Sequence, residues 1–329
     1  MSAADRLAVT SVGGADQSRD KILTNENTAA ANTSPKVSVL MTCFNAGSTI
    51  GSSARSIITQ TFTDWELIVV DNCSTDDSLV VVKNLNDKRI RIVALDTNQG
   101  RTPALKIALE AARGEFIAIL DADDISDPQR LQLQTEFLDK NKSVVVVGSW
   151  YRNINSDGEL INEVQTPTKS IDVVRRLASD NPIVNSSAMF RAESARTVGG
   201  YDQRYLYSQD FALWLALATI GEFAILPKFL ANIRRVQSSL SAISSNSLIL
   251  TRDGYELYRQ AQNLSSLNLL AKLRGWRTIG LYGLLFSWRS LQAGNIVRAF
   301  GLLLQNLWAL PLAIFELLRK FFNSFKSLQ

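Results

Sequence analysis

The chain has 329 residues, is 46% hydrophobic and carries a formal charge of +4, which is enough material for one large domain and an appendage. It contains no histidine, which excludes Ser-His-Asp and Cys-His catalysis and histidine-based zinc sites and leaves carboxylates as the expected general bases. Residues 264–329 hold eight Lys/Arg and one acid, Glu316, a net +7, so the remaining 263 residues carry −3 and the body of the protein does not suit nucleic acid.

Residues 1–34 are rich in Ser, Thr, Asn, Ala and Gly and lack the apolar core of a signal peptide, so they predict a disordered leader on a cytosolic protein. Cys43 and Cys73 have no metal-ligand spacing and read as small residues in a reducing compartment. KVSVLMTCFN then predicts a strand, and STIGSSARSIITQTF a helix with Ser48 as N-cap. WELIVVD predicts a second strand ending in Asp71, SLVVVKNLND a helix and IRIVALD a third strand. PALKIALEAARG predicts a helix stopped by Gly114, and EFIAILDADD a fourth strand. These strands are near-continuous apolar runs, as in sheets covered on both faces, and they alternate with helices. The expectation is a doubly wound α/β sheet with right-handed crossovers, whose ligands bind beyond the carboxyl ends of the strands. Asn45, Asp71 and the cluster Asp121 to Asp124 fall at that edge.

Farther along, SVVVVGSWYRNI and GELINEVQ predict a hairpin across Ser156-Asp157-Gly158. NPIVNSSAMFRAESARTVGGYDQRY mixes a strand, a short helix and a Gly-Gly turn. SQDFALWLALATIG predicts a helix, and FAILPKFLANIRRVQSSLS a strand followed by a polar segment. In the tail, Arg298, Gln305, Glu316, Arg319, Lys320 and Asn323 fall on one side of a helix that Leu312 interrupts and Pro311 should kink. A basic amphipathic helix with Trp and Phe on its apolar side suits a membrane interface; the alternative is a helical hairpin packed on the body or on a twin subunit.

Asp121 and Asp123 share one side of an extended chain, because side chains alternate with period two, and together they offer hard oxygen ligands to Mg2+ or Mn2+. The competing reading is an acidic cap on the next helix. Asp127-Pro128 supplies that cap by itself, which leaves Asp121, Asp123 and Asp124 unaccounted for.

The segments VSVLMTCFNAGSTI, SIITQTFTDWELIVVDNCSTDDS, LDADD and NPIVNSSAMFR through VGGYDQRYLYSQDFALWLALA resemble, in this order, the segments of glycosyltransferase family 2. The resemblance spans about 200 residues, from Pro35 to about Ser241, and implies a GT-A type doubly wound mixed sheet flanked by helices; the leader and the C-terminal amphipathic helical tail fall outside it. The domain expected from it is 35–245, with a nucleotide half 35–125 and an acceptor half 126–245; the basic-apolar helical tail is 246–329. The resemblance places Thr42 and Asn45 under the nucleotide base and Asp71 and Asn72 as its readers. Arg101 lies near the nucleotide, Asp121 and Asp123 form the DxD motif with Asp123 bridging the metal, Arg234 or Arg235 closes over the diphosphate, and Asp210 is the general base. Asn72 stands where a second Asp is common, Gln209 where Glu is, and Asn185 and Val236 where His is frequent.

The expected activity is inverting, metal-dependent transfer from a nucleotide-diphosphate sugar to a glycan or lipid-linked acceptor at the cytosolic face of the cell membrane, with the tail as anchor or homodimer contact. One rival is a non-catalytic, membrane-associated nucleotide-sugar-binding or scaffold protein. The other, a nucleotidyltransferase, needs a Gly-rich phosphate loop that TCFNAGST does not supply.

Overall fold

The computed structural model describes residues 7–10, 21–25, 34–235 and 248–311. The chain divides into two compact units, Met1–Ser170 with Ile183–Val236, and Ile171–Pro182 with Gln237–Gln329.

In the first unit, β3 (Val37–Cys43), β4 (Trp65–Asp71), β5 (Ile90–Ala94) and β6 (Phe116–Ile119) run parallel in the order β5-β4-β3-β6. Every residue of β4 and β6 is buried, which explains their unbroken apolar sequences. Between the strands lie α1 (Gly47–Ile58), α2 (Ser78–Lys83) and α3 (Arg101–Ala111). Cys43 pairs with Asp71, and Asp71 with Ala94, so the carboxyl ends of three strands come out level. Gly114 has a different task from stopping α3: a β-carbon there would stand 2.4 Å from the Ser38 backbone nitrogen.

Beyond β6 the sheet becomes mixed. β7 (Ile125–Ser126), α4 (Arg130–Lys140), β8 (Val144–Ile154) and β9 (Leu160–Val164) follow, then α5 (Ser170–Leu177), β10 (Met189–Arg191), α6 (Ala192–Thr197), α7 (Gln209–Leu217) and β11 (Glu222–Arg234). β10 is antiparallel to both β6 and β8, β11 is parallel to β8 and antiparallel to β7, and β8 and β9 form the expected hairpin, with Gly158 at φ 88°.

Several expectations are corrected. The leader is not structureless where it is described: β1 (Leu7–Thr10) pairs with β2 (Lys21–Asn25), and β2 adds antiparallel to β5, whose outer edge would otherwise be bare. The remainder of 1–33 lies outside the described residues. Ser48 is not the cap of α1, which begins one residue earlier after Ala46. α4 begins at Arg130, and Asp127 caps the turn before it by accepting from the Gln129 amide at 3.0 Å.

The second unit contains most of α5, α8 (Leu248–Ala261), α9 (Leu269–Gln292), α10 (Ile296–Asn306) and a 3-10 turn at Leu307–Ala309. It differs from the expected division in taking residues 171–182 from the middle of the chain. Gln262 donates to the Ala178 carbonyl, Thr278 to Ser179 and Arg175 to Ser266, and these bonds bind the inserted segment to α8 and α9. Asn268 and Asn295 cap α9 and α10 with their side chains. Gly283 lets Asn306 approach α9, where a β-carbon would meet its amide at 2.3 Å. No described helix is long and apolar enough to cross a membrane. Glu316, Arg319, Lys320, Asn323 and Leu312 lie outside the described residues.

Candidate functional site

At the strand-end edge the loops after β3 and β4 are cross-linked. Asn45, at φ 51°, accepts from the Thr75 amide at 2.8 Å, and its own amide donates to Ser74 Oγ. The Ala46 and Gly47 amides, which open α1, donate to Ser78 Oγ at 2.8 Å and Asp76 Oδ2 at 2.9 Å. A β-carbon on Gly47 would meet Asp77 Oδ1. The start of α1 is thus filled by the protein's own carboxylates and hydroxyls, and no phosphate can take the place it occupies in a P-loop. This start is not the Gly-rich phosphate cradle that the nucleotidyltransferase reading requires.

Asp71 ends β4 and is buried. Its Oδ1 takes the Ser74 amide at 3.3 Å and the Cys43 thiol at 3.4 Å, while Oδ2 has no hydrogen-bond partner among the described residues. Burial, then the Asp71 charge, pushes the Cys43 thiol up, so it stays a neutral donor. Asn72 behaves differently. Its Nδ2 donates to Asn98 at 2.8 Å and its Oδ1 accepts from the Gln99 amide at 2.9 Å, so both ends of the amide hold the loop before α3. Thr42, half-buried, is the penultimate residue of β3.

The acidic cluster does not continue the strand. β6 stops at Ile119, and the Asp124 amide donates to the Asp121 carbonyl at 3.1 Å, closing a turn. This turn, rather than alternation along an extended chain, brings carboxylate oxygens of Asp121, Asp123 and Asp124 within 4.8 Å of one another. The three are unequal. Both oxygens of buried Asp124 are engaged, by Ser186 Oγ at 2.5 Å and by the Arg234 amide at 2.8 Å. Asp121 Oδ1 accepts from Arg101 at 2.5 Å and Asn185 Nδ2 at 3.0 Å. The Asp123 carboxylate accepts from no other described residue. Burial, then repulsion from Asp121, raises Asp123; burial, then Asp121 and Asp123, raises Asp124 well above the usual carboxylate range. A crowded set of hard oxygens with one unbonded member fits Mg2+ or Mn2+, with Asp123 as the principal ligand and Asp121 Oδ2 as a second.

Behind this turn stands Arg130, fully buried. Its Nη2 donates to the carbonyls of Ile119 and Ala188, at 3.0 and 2.7 Å, and its Nε to Gln134, whose own amide holds the Ser187 carbonyl. The pair thereby joins β6 to the 3-10 turn Asn185–Ser187, which holds Asp121 and Asp124. Burial brings the Arg130 guanidinium down to about 9, against the pull of Asp124 and Asp121.

Arg101, at the start of α3, turns its Nη2 to Asp121 and its Nε to the Gln209 amide; with that amide oriented so that both its ends are satisfied, its oxygen accepts from Nε at 3.1 Å and its nitrogen donates to the Tyr207 carbonyl. Burial lowers the Arg101 guanidinium, but the charges of Asp121, Asp210 and Asp123 outweigh it and hold it above its ordinary value. Asp210, next to Gln209 in the first turn of α7, accepts from the Phe211 amide at 2.7 Å. The Tyr201 hydroxyl is buried, and burial followed by the Asp210 charge pushes it up.

The structure therefore links Asp121, Asp123, Arg101 and Asp210 electrostatically, and it places Asn45 and Asp71 on the same edge. Three residues expected at the nucleotide make bonds within the protein. Asn72 holds a loop. Arg234 spends its side chain on the carbonyls of Asp123 (3.0 Å), Asn155 (3.0 Å) and Ser156, clamping the acidic turn to the β8–β9 hairpin. Arg235 turns its Nε to Asn153 at 2.7 Å. The residues that sequence reasoning missed are Arg130, Gln134 and Ser186.

A family model described as glycosyl transferase family 2 matches residues 38–199. EpsE of Bacillus subtilis, which carries a glycosyltransferase name, is 33% identical over 189 residues, covering 56% of this chain and 67% of EpsE. WfgD of Escherichia coli, named UDP-Glc:alpha-D-GlcNAc-diphosphoundecaprenol beta-1,3-glucosyltransferase, is 29% identical over 64% of this chain and 80% of its own. Among solved structures, S. aureus TarS 1–349 in complex with UDP-GlcNAc superposes with a TM-score of 0.59 at 20% identity, over 78% of this chain and 73% of TarS. The mannosyltransferase PcManGT of Pyrobaculum calidifontis, in complex with GDP-Man and Mn2+, gives 0.58 at 17% identity over 91% and 82%. The mixed sheet with its flanking helices is the GT-A fold of these neighbours.

Proposed function

Because the chain belongs to glycosyltransferase family 2, we propose that it transfers a sugar, with inversion, from a nucleotide-diphosphate donor to a hydroxyl of a glycan or lipid-linked acceptor during cell-surface polysaccharide synthesis. The observation that carries this reading is the turn of Asp121 to Asp124, where the Asp123 carboxylate accepts from no other described residue and Arg101 connects the turn to the helix bearing Asp210.

In this reading Asp71 Oδ2 accepts the imide N–H of the base, and the loop tied by Asn45 and Asn72 shapes the base site. Asp123 and Asp121 hold Mg2+ or Mn2+, which supplies charge neutralisation for the departing nucleoside diphosphate. Asp210 takes the proton of the acceptor hydroxyl, whose oxygen forms a bond to the anomeric carbon from the face opposite the diphosphate. The bond to the diphosphate oxygen breaks in the same displacement, and the configuration inverts. The enzyme works on the inner face of the cell membrane, held there peripherally by its second unit; WfgD, whose name specifies a diphosphoundecaprenol acceptor, supports that location.

Thermal stabilisation by UDP-, GDP- and dTDP-sugars, each with and without Mn2+, tests the proposal. A rise in Tm that requires one nucleotide together with the metal, and disappears in Asp123→Ala, is expected. No rise with any donor would overturn it in favour of a scaffold.

A further inference from the structure

From Leu264 to Pro311 the chain has five cations, Lys272, Arg274, Arg277, Arg289 and Arg298, and no acid. The two long helices of this stretch meet at a pair of indoles. Trp276 of α9 and Trp308 of the 3-10 turn touch edge to face, with ring centroids 6.2 Å apart, and each is about half exposed. Leu273 lies on the same side of α9, one turn before Trp276, and Leu304 one turn before Trp308; both are exposed. Soluble helices bury such a stripe. Here it stays open although Gly280 has already let the Trp308-Ala309 turn close onto α9, where a β-carbon would meet Ala309 at 2.3 Å.

The charges are arranged to match. Lys272 and Arg274 flank Leu273 at about 100° to either side of the helix, so their long stems border the apolar stripe and their heads can rise to the level of phosphates. Beside Trp276 lies a cavity of about 320 Å³ lined by Arg259, Gln260, Gln262, Asn263, Trp276 and Ile279, with no carboxylate in its wall. It sits at the end of α8, but the carbonyls of Arg259, Gln260 and Ala261 already accept from the 262 to 264 amides and do not repel an anion as bare acceptors would. The nearest partner of the Arg259 guanidinium is the Tyr255 hydroxyl at 3.4 Å, so its charge is not neutralised by any described carboxylate.

We infer that the Trp276–Trp308 end of this hairpin lies in the headgroup layer of a bilayer rich in anionic phospholipid, with its apolar stripe inserted, the flanking cations on lipid phosphates and one headgroup in the Arg259 cavity. The absence of any described membrane-crossing helix fits a protein that lies on one leaflet. The inference rests on, and deepens, the membrane-face reading above.

The test is co-sedimentation of the full chain with vesicles of phosphatidylcholine alone and of phosphatidylcholine with phosphatidylglycerol. Binding should require the anionic lipid and fall with salt. Lys272→Glu with Arg274→Glu should weaken it at least about 25-fold, at about fivefold per charge removed. Leu273→Asn, an exposed position that does not disturb the fold, should weaken it further, and Arg259→Met should reduce the preference for phosphatidylglycerol. Equal binding to both vesicle types, or binding unmoved by these variants, overturns the inference. So does a dimer, seen by light scattering, that Leu273→Asn turns into monomer without vesicle binding by either form, because the face then joins two copies. Donor-induced stabilisation should be the same in all these variants; its loss from the unaltered protein would count against the transferase reading alone.

Discussion

Arg101 joins two sites through one guanidinium: its Nη2 reaches Asp121 at 2.5 Å, and its Nε lies 3.1 Å from the end of the Gln209 amide that carries the oxygen when both ends of that amide are satisfied. The acidic turn and the first residue of α7 are therefore positioned by a single planar group with two donor directions. Lysine keeps the charge but cannot serve both. Arg101→Lys and Arg101→Met should both reduce kcat/KM by roughly 10- to 100-fold, the scale of a small misplacement of reacting groups. Recovery of full activity in Arg101→Lys would mean that only the charge matters.

Asp123 and Asp124 should separate function from stability. Asp124→Ala takes the acceptor from the Ser186 hydroxyl proton and from the Arg234 amide in a buried place, although Ser186 Oγ keeps the Asp121 amide, and should cost about 1 to 3 kcal/mol in urea unfolding. Asp123→Ala breaks no bond to another described residue and relieves repulsion from Asp121, so stability should stay within about 0.5 kcal/mol while metal-dependent donor binding is lost.

Asp210→Asn preserves size and the bond from the Phe211 amide but cannot take a proton at neutral pH. Turnover should fall by about 10²- to 10⁴-fold, with donor affinity by calorimetry unchanged. An equal loss in donor affinity would place Asp210 in binding instead.

Glu66 lies at the opposite edge of the sheet from the site, buried, with Ser38 at 2.7 Å, Arg91 at 2.8 Å and Arg113 at 2.8 Å. Burial pushes its carboxyl up, but the bonds from Ser38, Arg113 and Arg91 outweigh burial and hold it below the ordinary value of 4.5. A carboxylate depressed by folding adds stability above pH 4.5, and that contribution disappears as pH falls through the folded value. Glu66→Gln should therefore lower Tm at pH 7, with the difference from the unaltered protein shrinking as pH falls below 4.5.

The first half of the sheet was legible because its strands follow the chain and alternate with helices, so apolar runs and their polar ends carried the topology. The second half was not. β10 is three residues long, and its neighbours β6 and β8 come from much earlier in the chain. Asp121 and Asp123 stood out in the sequence because acids are unlikely company at the end of an apolar run, whereas Asp210 was singled out only by the family resemblance. The loop and hairpin contacts of Asn72 and Arg234 were not legible, since which carbonyls and amides these side chains meet depends on segments distant in sequence. Arg130 was hidden because an arginine in a polar helix start reads as exposed; only the carbonyls of Ile119 and Ala188 reveal it as buried.

The placement of β10 also has a consequence for how the chain is made. β6 and β8 are complete by residue 154, yet each keeps an open hydrogen-bonding edge until Met189–Arg191 leaves the ribosome and inserts between them. For the time needed to synthesise those intervening residues, a nascent chain bears two apolar strands with unpaired backbone, the condition that invites aggregation. A release of the chain anywhere before residue 189 should yield an insoluble product. The most exposed stage of this protein's existence falls during its own translation.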